Sequence, residues 1–262
     1  MNKPFNWKIF FILWIAAIFG VIAIIPYSLA LQSGILQTME LPIPLPTLIV
    51  IQIIQNALMF GVLAAAGLFF ANRAGLGVPI LEAKLNGEEV TDKVRAILPI
   101  SVLFGVIASL LIIGLDAFVF QAALLREFGG KVKDIAQTAQ PAAWKGFFAS
   151  FYGGIVEEIL LRLFLMSLLA WIGSFISKTA EGKPTGMVFW TANILAAIFF
   201  GLGHLPATAT VMPLSPLIVT RAVVLNGVAG IFFGYLYWKR GLESAMISHF
   251  SADIVLHVLL AL

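Results

Sequence analysis

Long apolar runs separated by short polar loops dominate the chain. A helix needs about 20 apolar residues to cross the hydrocarbon layer of a bilayer, so the sequence predicts about seven spans, within a range of roughly six to eight. The predicted spans are Trp7–Leu31, Pro46–Ala71, Ala96–Phe120, Trp144–Ile176, Met187–His204, Pro216–Trp238 and Leu242–Leu262. The fifth is expected to end at Pro206, because proline cannot continue a helix. The predicted fold class is an all-α, polytopic transmembrane helical bundle.

The composition favours a membrane protein. Hydrophobic residues make up 61% of the 262 residues, charged residues only 11%, and the mean hydropathy is +1.02. A soluble domain carries about 25% charged residues, so the excess apolar surface must face lipid. The absence of cysteine excludes a disulfide framework, a thiolate nucleophile and a Cys-ligated metal. The net charge of +3 is small, and no pattern indicates nucleic-acid binding.

The basic residues predict an orientation. The first apolar run is too long for a signal peptide, so we interpret it as a span and not as a cleaved leader. Loops on the N-terminal side carry clusters of Lys and Arg, whereas Gln32–Leu45 and Leu205–Ser215 carry none. This bias predicts a cytoplasmic N-terminus. The protein itself is expected in the cell membrane. The basic connector Arg126–Gln140 does not follow the rule. It and Leu76–Val94 are predicted as surface helices or as solvated connectors.

Ionisable residues are concentrated inside the later spans. Such a residue costs about 2.5–3.5 kcal/mol at the centre of a spanning helix, so each is a functional candidate. The candidates are Glu157, Glu158 and Arg162 in the fourth span, His204 at the end of the fifth, and His249, Asp253 and His257 in the seventh. Glycines in these spans allow close helix packing, which predicts that the candidates meet in one interior site.

Helical spacing suggests different roles for the two glutamates. Glu158 and Arg162 are four residues apart and can pair on one face, so a stabilising ion pair is the first interpretation. Glu157 is rotated by about 100° and is expected to point to another neighbour, as a general base would. His249 and Asp253 are also four apart, so Asp253 is expected to bond one ring nitrogen and fix its tautomer.

Other polar residues have simpler interpretations. His257 is expected at the membrane interface, and Arg221 as a packing or snorkelling residue. Asp116 is the one charged residue that lies clearly inside the first three predicted spans. It has no recognisable partner in the sequence.

Three motifs carry a family resemblance. They are Glu157-Glu158-x3-Arg162, Phe200-x3-His204 and His249-x3-Asp253, each on a separate predicted span and in this order. This set resembles the CPBP family of intramembrane proteases, which includes the CAAX prenyl endopeptidases and the Abi proteins. The similarity covers roughly Lys145 to Leu260. It implies a catalytic core at 144–262 and N-terminal spans and loops at 1–143, within a single membrane domain.

The resemblance implies an intramembrane endopeptidase. Glu157 would activate a water molecule with His204 helping to hold it, while His249 and Asp253 would stabilise the oxyanion. Glu158, Arg162 and Phe200 would support the site. An ionised Asp253 has no proton to donate, so it either stays protonated or serves His249. The implied partners are a peptide or membrane-protein substrate and the lipid bilayer.

The metal question and two rival functions stay open at this point. Glu157, His204 and His249 are the candidate ligands if a divalent metal such as zinc is present, but no His-Glu-x2-His signature occurs, and a metal-free mechanism is favoured. One rival is a proton-coupled transporter that uses the same Glu, His and Asp residues. The other is a non-catalytic membrane scaffold.

Overall fold

The structure is a computed structural model that describes residues 4–38, 40–130 and 140–262. Its described residues form nine helices: α1 Trp7–Leu31, α2 Ser33–Thr38, α3 Leu45–Ala74, α4 Pro79–Leu85, α5 Thr91–Phe128, α6 at 143–173, α7 Gly186–Ala209, α8 Pro216–Arg240 and α9 Leu242–Ala261. The only β pairing in these ranges is a single bridge between Lys178 and Pro184. The predicted all-α fold is confirmed.

Six of the described helices are long and apolar enough to cross a membrane: α1, α3, α5, α7, α8 and α9. Helix α6 packs among them and carries the charged residues Lys145, Glu157, Glu158 and Arg162. Together these helices match the prediction of about seven spans. The chain is an integral multi-pass membrane protein.

Two helix ends differ from the prediction. Helix α5 does not stop at Phe120 but continues through the amphipathic turns of Gln121–Phe128. The rest of the predicted connector, residues 131–139, lies outside the described residues. Helix α7 breaks at His204, and Pro206 then opens the short turn Leu205–Ala209. Proline is tolerated in the first turn of a helix because the missing N–H would have no intrahelical partner there.

Helix α6 departs from regular α geometry on both sides of Glu158. Residues Tyr152–Glu157 and Ile159–Met166 are π-helical. A π-helical turn leaves backbone groups outside the regular α ladder, and such turns often occur at functional sites. The backbone oxygen of Arg162 accepts a hydrogen bond from Ser167 Oγ at 3.2 Å.

The loops at one end of the bundle pack together. Helix α4 docks on the start of α9, where Leu242 N donates to Gly77 O at 3.0 Å. Glu243 Oε1 accepts hydrogen bonds from the backbone N–H groups of Ile80 and Leu81 at 3.0 and 2.9 Å. The predicted amphipathic segment Leu76–Val94 therefore contains a helix that closes this end of the bundle.

Glycines let the N-terminal helices approach α6. A Cβ at Gly67 of α3 would lie 2.9 Å from Leu163 Cγ and 3.0 Å from the backbone carbonyl of the same residue. A Cβ at Gly20 of α1 would lie 3.2 Å from Phe151 O. Helices α1 and α3 can therefore pack directly on the backbone of α6.

We expect Gly67→Ala to destabilise the protein by about 1–3 kcal/mol, because the methyl group would push α3 away from α6. Gly114→Ala on α5 is the matched control, since a Cβ there has no neighbour within 4 Å. The control should be neutral or stabilising, because Ala favours a helix more than Gly does. Thermal unfolding in detergent measures both variants, and equal stability of the two would contradict the proposed packing.

Candidate active site

The Glu158–Arg162 pair lies at the centre of the candidate site. Glu158 Oε1 lies 3.1 Å from Arg162 Nη1, and the two side chains are 0% and 1% exposed. The predicted pairing of these residues is therefore present. Breaking a buried pair leaves one charge uncompensated in a medium of low dielectric constant, so these two side chains hold each other in place.

Groups from two other helices surround the guanidinium. Arg162 Nη2 donates to the backbone oxygen of Gly230 on α8 at 3.0 Å. The Phe200 ring of α7 and the Phe233 ring of α8 lie 5.0 and 5.4 Å from Arg162 Cζ. Aromatic faces attract a cation most strongly where water is excluded. Arg162 therefore ties α7 and α8 to α6.

His249 is held by Glu158. Its Nδ1 atom lies 2.8 Å from Glu158 Oε1, and its ring stacks on Phe233 at 4.4 Å. Since a carboxylate only accepts, Nδ1 carries the proton, which leaves Nε2 to face the site. The carboxylate that fixes the ring is thus Glu158, whereas spacing along the helix predicted Asp253. Glu158 reaches Nδ1 from α6 at 2.8 Å, whereas Asp253 Oδ1 lies 3.7 Å from Nε2.

The other ring nitrogen faces two carboxyl groups. His249 Nε2 lies 3.6 Å from Glu157 Oε2 and 3.7 Å from Asp253 Oδ1. These separations exceed direct hydrogen bonds and suit a single molecule bridging the groups. The Glu157 side chain is 21% exposed, compared with 0% for Glu158. Glu157 is therefore the glutamate that a substrate or water molecule can reach.

Gly153 makes room for this arrangement. A Cβ at this position would collide with Asp253 Oδ2 and lie 3.0 Å from His249 Nε2. Glycine is required here because any side chain would occupy the space between the carboxyl groups and the imidazole. The sequence signal was the Gly153-Gly154 pair one turn before the glutamates.

His204 borders the site through Phe200. Its Nδ1 lies 2.8 Å from Phe200 O, so the proton sits on Nδ1 and Nε2 is free to accept. The Phe200 ring contacts both imidazoles, at 4.7 Å for His204 and 5.4 Å for His249. The structure thus brings His204 to the edge of the cluster. It lies beyond ion-pair distance of Glu157, whose nearest ion-pair partner among the described residues is His249.

Sequence reasoning missed Phe233 and Tyr27, and it missed the partner of Asp116. Phe233 stacks on His249, but nothing distinguished it from a packing phenylalanine of α8. Tyr27 on α1 reaches His257 Nδ1 at 3.3 Å, a contact between opposite ends of the sequence. Asp116 has a partner after all: Arg221 Nε and Nη2 donate to its two carboxylate oxygens at 2.6 and 2.7 Å. Arg221 is therefore half of an ion pair between α5 and α8.

Glu157, His204 and His249 are the candidate metal ligands, and the metal-free mechanism stays a prediction. Among the described residues, no group of three or more His, Asp or Glu side chains is arranged to hold a metal ion. Both imidazoles bond through Nδ1, His249 to Glu158 and His204 to a backbone oxygen, so Nε2 is the ring nitrogen that each could offer to a ligand.

Comparison with known protein families tests the resemblance to the CPBP intramembrane proteases. The family model described as type II CAAX prenyl endopeptidase Rce1-like matches residues 139–255, a little under half of the 262 residues. The resemblance is confirmed for this part of the chain. The matched residues, 139–255, contain all three motifs. Neither the curated proteins nor the solved structures contain a match to the chain.

We expect Arg162→Leu to destabilise the protein by about 3–5 kcal/mol, since it leaves the Glu158 carboxylate buried without its cation. Glu157→Gln is the control, because the neighbouring glutamate has no ion pair with Arg162 and is partly exposed. Its stability should stay close to that of the wild type. Thermal unfolding in detergent compares the two, and an unchanged Arg162→Leu protein would show that the pair is not a structural requirement.

Proposed function

We propose that the protein is an intramembrane endopeptidase in which Glu157 activates a water molecule. The observation that carries the proposal is the position of His249, with Nδ1 on Glu158 and Nε2 facing Glu157 and Asp253. Family membership of this segment supports endopeptidase activity in general. The site adds an accessible carboxylate beside a fixed imidazole, which is the pairing that water activation requires.

In the first step, Glu157 removes a proton from water as the water oxygen attacks the scissile carbonyl carbon. A general base must lie within hydrogen-bond reach of the proton that it takes, directly or through one water molecule. His204 Nε2, which is free to accept a hydrogen bond, orients the second water hydrogen. The carbonyl π electrons move to oxygen, which gives a tetrahedral oxyanion.

His249 and Asp253 stabilise the oxyanion, provided that both carry protons. The cluster contains three carboxyl groups, Glu157, Glu158 and Asp253, and two groups that can be cationic, Arg162 and His249. With His249 charged and Asp253 protonated, the net charge is zero, which minimises the cost of burial in a low dielectric medium. His249 Nε2–H and the Asp253 hydroxyl can then both donate to the oxyanion.

The intermediate collapses when the proton held by Glu157 passes to the leaving nitrogen. The C–N bond breaks, the carbonyl re-forms, and the products are a carboxylic acid and an amine. Glu157 is a carboxylate again, so the cycle needs no further proton source. Neither a covalent enzyme intermediate nor a cofactor enters this scheme.

We expect Glu157→Gln to lose cleavage activity by about 10²–10⁴-fold, because glutamine cannot accept the proton of water. Glu243→Gln is the control, since this glutamate caps α4 and lies outside the site. The first peptide to be assayed is a prenylated CAAX peptide, because the description of the matching family model names this class. If it is not cleaved, membrane peptides from cells with wild type and Glu157→Gln are compared by mass spectrometry. Full activity of Glu157→Gln would refute the mechanism, and proton flux in proteoliposomes without cleavage would favour a transporter.

We also propose that the N-terminus is cytoplasmic and that the protein lies in the cell membrane. The end of the bundle closed by α4 includes the basic loop at 174–185, where the Lys183 side chain lies near Gly75. Basic residues favour the cytoplasmic side of a membrane.

Single cysteines test the orientation, because the chain has none of its own. We expect Ala180→Cys, in the basic loop, to resist an impermeant thiol reagent added to intact cells and to react after permeabilisation. Ala209→Cys, at the opposite end of the bundle, should react in intact cells. The reverse labelling pattern would show that the N-terminus lies on the outer side of the membrane.

A further inference from the structure

Helix α3 lies at the edge of the bundle. Only 11% of its most apolar window is buried, compared with 28–44% for the other five candidate spans. It packs mainly on α1 and α6. The residues of α3 that become buried there include Phe60, Ala64, Gly67 and Ala71. The opposite face of α3 is therefore free to contact lipid or another protein.

A stripe with the spacing of a coiled coil runs along this opposite face. Its members alternate by three and four residues and are Gln52, Gln55, Met59, Val62, Ala66 and Phe69. Heptad spacing of this kind keeps one stripe against a single partner helix, at the positions called a and d. In the same heptad, the four buried residues named above fall at b and f, on the far side of the helix.

The stripe is exposed along most of its length. Met59, Val62 and Phe69 are 46%, 70% and 43% exposed, and both glutamines are exposed as well. At about 1.5 Å per residue, Gln55 lies about 15 Å from the start of a helix about 45 Å long, which is deep enough to reach the hydrocarbon layer.

The two glutamines are costly in this position. Within the described chain, the nearby Asn56 amide bonds to the backbone oxygen of Gln52, and the two glutamine side chains have no hydrogen-bond partner. An amide placed in an apolar medium without a hydrogen bond is unfavourable, and a lipid tail offers none. Glutamine side chains inside membranes commonly bond to a neighbouring helix. The exposed amides therefore point to a protein partner and not to lipid alone.

A second copy of this chain satisfies these amides. A glutamine amide carries both donors and acceptors, so it can pair with an identical group. All copies in one membrane have the same orientation, so a two-fold axis along the membrane normal places α3 parallel to α3 of the second copy. Gln52 then meets Gln52, and Gln55 meets Gln55, each at the same depth.

We propose that α3 forms a parallel homodimer interface, in which the glutamine amides of two copies hydrogen-bond across a two-fold axis. Polar side chains at a and d positions fix register and oligomeric state, while Met59, Val62 and Phe69 pack along the rest of the seam. The inference does not rest on the proposed function, because no residue of the stripe belongs to the candidate active site.

Energy transfer between labelled copies in liposomes tests the interface, with the dyes attached at Ala180→Cys and the ratio of protein to lipid varied. We expect the double variant Gln52→Leu, Gln55→Leu to raise the dissociation constant of the dimer by about tenfold or more, since it removes the hydrogen bonds between helices. Leucine is compatible with lipid, and thermal unfolding checks that the variant is folded. Gln121→Leu, the same change at an exposed position of α5, is the control and should dimerise like the wild type.

Cysteine crosslinking in native membranes locates the seam, because the chain has no cysteine of its own. Met59→Cys and Val62→Cys should each form a disulfide with the second copy on mild oxidation. Ile54→Cys is the control, since Ile54 is 55% exposed but lies at position c, away from the seam. Two cysteines that are held too far apart cannot be bridged. Adding Gln52→Leu and Gln55→Leu should reduce crosslinking at Val62→Cys.

Three results would overturn the interface: a wild type that stays monomeric in liposomes, an unchanged dissociation constant in the double variant, or equal crosslinking at Ile54→Cys and Val62→Cys. A monomeric wild type whose double variant cleaves a membrane-spanning peptide more slowly would assign this face to substrate binding instead. Glu157→Gln should dimerise like the wild type, so a failure of the proposed function and a failure of the dimer are detected separately.

Discussion

The buried ion pair of Glu158 and Arg162 is the constraint on which the rest of the structure depends. Both side chains are removed from water and from lipid, at 0% and 1% exposure. Desolvation costs several kcal/mol for each ion, so the pair is tolerated only with further partners. The fold supplies a backbone oxygen of Gly230, two aromatic rings and the imidazole of His249. Helices α7, α8 and α9 are thereby drawn to one point on α6.

The irregular backbone of α6 coincides with this ion pair. The helix becomes π-helical immediately before and immediately after Glu158. Gly153 permits Asp253 and His249 to approach on one side of this region. Both glutamates then meet the same imidazole from different sides, Glu158 at Nδ1 and Glu157 near Nε2. The Glu158 side chain is held by its ion pair with Arg162, and the neighbouring Glu157 side chain is partly exposed.

The sequence predicted correctly those features that depend on the geometry of a single helix. Apolar run length predicted the spans, and i,i+4 spacing predicted the Glu158–Arg162 pair, because both depend on local geometry. Contacts between helices were harder to predict. Spacing predicted that Asp253 bonds one ring nitrogen of His249, but the carboxylate within hydrogen-bond distance of the ring is Glu158 of another helix. Tyr27 could not be found from the sequence, since nothing local links it to His257 across 230 positions.

The same limit applies to Asp116, whose partner Arg221 lies on another helix, 105 residues away. A sequence reveals that a charge inside the membrane is costly and therefore needs a partner. It does not reveal which helix supplies that partner, because the relative rotation and depth of two helices depend on the whole bundle. Spacing therefore predicts which residues share a face of one helix, but it does not predict which partner a neighbouring helix supplies.

The position of the site along the bundle links the mechanism to the topology. Helix α9 starts at the end closed by α4, where Leu242 bonds to Gly77, and finishes at the opposite end, where Gln140 bonds to Leu260. His257, whose side chain is 40% exposed, lies towards that opposite end. If the basic end is cytoplasmic, the accessible side of the site faces away from the cytoplasm. A substrate would then reach Glu157 from that side or laterally through the bilayer, which favours a membrane-embedded peptide over a soluble cytoplasmic one.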